Sequence, residues 1–158
     1  MKRLLPAILI AVCVSCYTEQ APGPVAVGVN EEFELAYGQL ANVKSKANES
    51  LFSLAFMWVE DTRCPTPKVN CIVGGQVTVQ LEAQAGDEKA KADLCLGDCW
   101  FTNQRGRYRI ADSTDIRIQE KRFRIRLIDV KPHPGEEWDK PRWQERERKR
   151  AAFLVREL

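Results

Sequence analysis

The chain has 158 residues and a formal net charge of +2 at neutral pH. That length holds one ordinary domain with its own core. A charge so near zero argues against a nucleic-acid binder. One histidine and six cysteines narrow the chemistry further.

The first residues read as an export signal. Lys2 and Arg3 form a positive n-region, and Leu4 to Val14 form an apolar run too short to span a bilayer. Val14-Ser15-Cys16 resembles the lipobox of bacterial lipoproteins, although Cys13 stands where that pattern usually has leucine. The resemblance implies lipidation at Cys16 and a signal peptide over 1–15. The following stretch, 16–29, holds Pro22, Gly23, Pro24 and Gly28 and suits a tether, with Val25 to Val29 able to form a first edge strand.

Cys13 leaves with the signal and Cys16 takes lipid, so Cys64, Cys71, Cys95 and Cys99 remain. An even number in an exported chain reads as two disulfides. Three pairings are open. Cys64–Cys71 and Cys95–Cys99 are favoured because each pair flanks a turn-like segment. A zinc site is the rival, but C-x6-C and C-x3-C fit knuckle spacing poorly.

The domain is expected over 30–135. Phe33, Leu35 and Tyr37 alternate with polar or small neighbours, as in a strand with one buried face. Asn48-Glu49-Ser50 matches a glycosylation sequon by chance. Phe52, Leu54, Phe56 and Trp58 share one face of the next strand, and Leu51, Ala55, Met57 and Val59 the other, which predicts a central strand covered on both sides. Gly74-Gly75 suggests a bulge or a close backbone approach. Val77, Val79 and Leu81 then alternate as a half-exposed strand. Gly97-Asp98 marks a turn inside the second cysteine pair. Short strands are predicted at Tyr108 to Ile110 and Ile116 to Ile118. Gln119 to Arg122 reads as a hairpin loop before Phe123, Ile125 and Leu127. Pro132 and Pro134 end that strand. The tail, 136–158, is dense in charge and in helix formers, with Glu145 and Lys149 four apart and Glu147 and Arg150 three apart, so a charged helical extension is expected. The fold class is therefore all-β: a small β-sandwich, Ig-like or a partly closed barrel, with a C-terminal charged α-helix.

Chemistry is sparse. Glu60-Asp61-Thr62-Arg63 places two acids and an arginine beside the Cys64–Cys71 loop. Asp61 and Arg63 are candidate binding residues for a charged group. Their structural reading is that Asp61 caps the turn by accepting loop backbone N–H groups while Arg63 pairs with Asp61 or Glu60, and it is the stronger one. His133 sits between two prolines, with no Gly-x-Ser-x-Gly sequence and no spare thiol, so no catalytic residue is assigned. No phosphate loop, metal set or cofactor is assigned either. Arg146, Arg148, Lys149 and Arg150 alternate with acids and read as a solvated helical face rather than a contact for anionic lipid or an acidic protein. Arg105, Arg107, Arg109, Arg117, Arg122, Arg124 and Arg126 form a second basic set. Arg124 and Arg126 are its candidate binding pair, serving either an acidic partner or protection of a sheet edge.

Asp61-Thr62-Arg63-Cys64-Pro65, then Cys71-Ile72-Val73-Gly74-Gly75 and an alternating strand, resembles a pattern in small exported bacterial lipoproteins. The resemblance covers about half of the expected domain and implies no activity. The functional expectation is a non-catalytic binding or structural module. It is held to the outer membrane or cell surface by an N-terminal lipid and contacts an envelope protein, without nucleic acid. The alternative is an inhibitor of an exported protease acting through the stapled loop 64–71, stiffened by Pro65 and Pro67.

Overall fold

The computed structural model describes residues 22–65, 70–99, 108–135 and 142–158, with only the backbone described at 142–144. The expected signal peptide, Cys16 and the first part of the tether lie outside them, as do Pro67, Arg105 and Arg107. The described strands form two sheets. One sheet runs in the order β1 (Val25–Gly28), β3 (Leu40–Lys44), β4 (Ser50–Asp61), β5 (Gln76–Ala85), β6 (Glu88–Asp98) and β7 (Tyr108–Arg109). The other runs β2 (Glu32–Ala36), β10 (Arg150–Glu157), β9 (Lys121–Lys131) and β8 (Asp112–Ile118). β1 lies parallel to β3; every other pairing is antiparallel. The all-β class is thus as expected, and one sheet curls into a half-barrel.

Period-two patterning builds this arrangement. In β9, Phe123, Ile125 and Leu127 are buried while Arg122, Arg124 and Arg126 face water. In β5, Val77, Val79, Leu81 and Ala83 turn inward. The inward faces of both sheets meet in one core. Phe52 of β4 packs edge-on to Phe123 of β9 at 4.9 Å between centroids, and Phe56 packs on Phe153 of β10 at 6.0 Å. These edge-to-face pairs place ring edges against ring faces, which the aromatic quadrupole favours.

β4 departs from its expected pattern. Its pairing with β5 shifts register between Phe56 and Trp58. The inserted residue turns Val59 inward and leaves Met57 and Trp58 exposed. Trp58 therefore does not share the face of Phe52, Leu54 and Phe56. Nor is the outer face fully covered: Leu51 and Ala55 are half-buried and Met57 is 52% exposed.

Both local disulfides are present, Cys64–Cys71 and Cys95–Cys99. The close approach expected at the glycine pair occurs at Gly75. Its φ is +72°, and a Cβ there would collide with the Thr62 carbonyl. Any larger residue would force the β4 and β5 ends apart, just where they carry the stapled loop.

The C-terminal helix is corrected. Helix α1 covers only Arg142–Glu147, and β10 follows it as an interior strand between β2 and β9. Ala151, Phe153 and Val155 face the core at 0% exposure, and Leu154 is also buried. Local composition favours helix there, but two neighbouring strands each offer β10 a hydrogen-bonding edge and an apolar slot. Tertiary pairing outweighs a propensity worth only tenths of a kcal/mol per residue. Lys149, expected on a solvated face, is 2% exposed.

Phe153→Ala should lower stability by about 3–5 kcal/mol, whereas the exposed Arg156→Ala should change it by less than about 0.5 kcal/mol. Urea denaturation measures both. Similar small effects at both positions would contradict a strand buried between β2 and β9.

Candidate functional site

Asp61 ends β4, and backbone pairing continues past it: Thr62 N–H donates to the Gln76 carbonyl and Cys64 N–H to the Gly74 carbonyl, each at 2.8 Å. This holds Arg63 directly above its own aspartate. Arg63 Nε donates to Asp61 Oδ1 at 2.8 Å and Nη2 to Oδ2 at 2.6 Å, a bidentate pair, and the Arg63 backbone N–H adds a third bond at 3.2 Å. Arg63 Nη2 also donates to the Val130 carbonyl at 2.8 Å. From the other side, Lys149 Nζ donates to Asp61 Oδ2 at 2.8 Å, to the Pro132 carbonyl at 2.7 Å and to Glu145 Oε1 at 3.4 Å. The cluster ties the end of β4 in one sheet to the end of β9 and the α1–β10 junction of the other.

The charges are nearly dry, with side-chain exposures of 4% for Asp61, 12% for Arg63 and 2% for Lys149. Burial pushes the Asp61 carboxyl upward. The hydrogen bonds from Arg63 and then Lys149, together with their positive charges, outweigh it and hold Asp61 below its ordinary 3.8. Asp61 is therefore an ionised structural acceptor at neutral pH. The ammonium of Lys149, with three N–H donors, faces three oxygens and keeps none for a ligand.

Beside this cluster opens a cleft of about 760 Å³, lined among others by Glu60, Asp61, Arg63, His133, Glu145 and Arg146. Its size falls within the range of small-ligand sites. At its wall the Arg146 guanidinium lies 3.5 Å above the Trp58 ring. The β4 bulge makes that contact available by turning Trp58 outward. Arg146 has no carboxylate partner among the described residues. His133 Nδ1 lies 3.1 Å from the Pro134 carbonyl. Among the described residues no group of three His, Cys, Asp or Glu side chains is placed to hold a metal.

The sequence-predicted residues separate into two places. Asp61 and Arg63 meet as a pair, in the arrangement expected of a structural corner. Arg124 and Arg126 lie on the outward face of the second sheet, apart from the cleft lining. Arg124 is bound to Asp115 at 2.7 and 2.9 Å, and Arg126 has no ion pair among the described residues. Asp115 lies below its ordinary value because Arg124 donates to it. Arg109, placed in the same basic set, instead pairs with Asp112 at 2.7 Å, and Asp112 also accepts the Cys95 N–H beside the buried second disulfide. Beyond the first disulfide, Ile72 is fully exposed and Val73 is 52% exposed. Sequence reasoning missed Lys149 and Arg146. Lys149 lies 88 positions from Asp61, and nothing local distinguishes it from the charged residues around it. Arg146 was grouped with a solvated helix, and only the bulge at Met57 reveals its stacking partner.

Comparison of the chain with protein-family models, curated proteins and solved structures gives no match.

Removing either partner of the buried pair, by Asp61→Asn or Lys149→Met, should cost about 3–5 kcal/mol because the other charge stays buried without compensation. The Asp61 contribution is complete above its unfolded value of 3.8 and is lost as pH falls through the lower folded value. The wild-type midpoint should therefore drop more steeply than that of Asp61→Asn as pH is lowered through this acidic window. Parallel pH profiles from denaturation at several pH values would remove Asp61 from the account.

Proposed function

We propose that the protein is a lipid-anchored envelope component acting as a non-catalytic binding module, built as a two-sheet β-sandwich. Two disulfides suit an oxidising, exported setting. The Asp61-to-Gly75 pattern supports a place among small exported lipoproteins, with Cys16 as the lipidated residue. The cleft is the proposed contact. Asp61 at the cleft is saturated by Arg63 and Lys149, which supports reading the cleft as a recognition surface.

The observation that carries this reading is Arg146. It is half-buried and stacked on Trp58 at a cleft wall, with no carboxylate of its own among the described residues. Such a cation suits an acidic side chain or chain terminus on a protein partner, and the ring behind it holds the guanidinium in place. Cross-linking from intact envelopes with the full chain tests this. Arg146→Ala should reduce capture of the partner at least about tenfold, in line with the loss of a charge-assisted hydrogen bond, and Trp58→Ala should reduce it less. Capture that Arg146→Ala leaves unchanged would exclude the cleft as the contact.

A second reading rests on Ile72 and Val73. Both are exposed next to a loop closed by the Cys64–Cys71 disulfide, which is the form of a preorganised loop presented to an exported protease. Inhibition abolished by Ile72→Glu in a folded variant would favour it over the cleft.

A further inference from the structure

On the outward face of the second sheet five arginines cluster together, Arg117 on β8, Arg122, Arg124 and Arg126 on β9, and Arg156 on β10, while Arg150 lies farther along β10 opposite Lys131. Register sets like charges opposite one another. Arg117 faces Arg122, and Arg124 faces Arg156. Directly opposed like charges weaken a sheet. Among the described residues Asp115 is the one carboxylate bound to this group, serving Arg122 and Arg124. Five arginines less that one carboxylate leave four positive charges in a patch about 14 Å along β9 and about 10 Å across three strands. Glu32 and Glu34 on β2 share this outward face, beside Leu154 and Ala152 of β10, so the positive excess is gathered toward β8 and β9.

Edge protection does not account for it. β9 lies between β10 and β8, and β10 between β2 and β9, so four of the five arginines sit on interior strands. General solubility is served better by mixed signs than by a single-sign field. Arg117, Arg126 and Arg156 have no ion pair at all among the described residues, and Arg122 and Arg124 remain 64% and 49% exposed. The array thus holds three uncommitted forks and two exposed ones that share Asp115, and a guanidinium fork matches phosphate oxygens two at a time.

We infer that this face docks the protein onto an anionic lipid surface, with the arginines binding headgroup phosphates. A two-dimensional array of exposed cations reads the charge density of a membrane, and no shaped recess is needed for it. The inference rests on the envelope location proposed above but not on the cleft. The two surfaces leave one module able to hold a membrane and a protein partner at once.

The test is co-sedimentation of the full chain with vesicles of phosphatidylcholine alone or mixed with phosphatidylglycerol. The zwitterionic vesicles report any insertion by the apolar N-terminal residues; the difference reports the arginine face. Binding should require the anionic lipid and weaken as salt rises. Arg117→Gln, Arg126→Gln and Arg156→Gln together should lower it about a hundredfold, at about fivefold per charge. These three make no internal ion pair, and Arg117 and Arg156 each oppose another arginine, so the melting temperature should not fall. The triple lysine variant should keep most of the binding. Arg146→Ala should keep all of it while losing the protein partner, which separates failure of this inference from failure of the cleft. Equal binding to both vesicle types would overturn the inference. So would a triple glutamine variant that binds like wild type, or binding to soluble polyglutamate in preference to vesicles, which would mark a protein-docking face instead.

Discussion

Asp61 is held between Arg63 and Lys149 in nearly dry surroundings, and the rest of the molecule is arranged around that contact. Three charges taken out of water are costly unless each finds partners. Here each does. The carboxylate oxygens accept from both cations, and the remaining donors reach the Val130 and Pro132 carbonyls at the end of β9. The partners come from β4, from the end of β9 and from the start of β10, so satisfying the cluster sets where the two sheets close on each other. The apolar contacts between the sheets, mostly aliphatic with Phe52, Phe56, Phe123 and Phe153 among them, supply the burial but are tolerant of small shifts. The ion cluster is directional and selects one arrangement.

The β4 bulge serves the same corner. Without the extra residue at Met57, strand alternation would place Trp58 inward with Phe52, Leu54 and Phe56, and Val59 outward. With it, Val59 closes the core beneath Asp61, and Trp58 becomes a platform beneath Arg146. A single irregularity in a strand thus divides a structural end, where charges are consumed, from a recognition surface, where one is left over. The cleft and the arginine-bearing sheet face lie on different parts of the molecule, and each has a cation not neutralised by the fold.

Much of the framework was legible from residue order. Alternation in β5 and β9 identified the inward residues, and the even cysteine count with flanking turns identified both disulfides. That Arg63 pairs with a neighbouring acid was legible too, and the structure selects Asp61 over Glu60. The misreadings have a common cause. The tail 136–158 contains many helix formers, and propensity is a local quantity. Whether β10 becomes a strand depends on β2 and β9 standing free on either side of it, and those strands come from elsewhere in the chain. Lys149 was invisible for the same reason, since its partner is 88 residues away.

Sequence alone determined the all-β class, the local cross-links, the acid–arginine corner and the abundance of arginine in the later strands. These follow from nearest neighbours and from a period of two, which residue order records directly. Only the tertiary structure decided that Lys149 is buried against Asp61, that the tail is an interior strand, that a bulge exposes Trp58 to Arg146, and that five arginines share one face. Each of these depends on register between distant segments. A shift of one residue reverses which side chains face the core, and no local pattern encodes it.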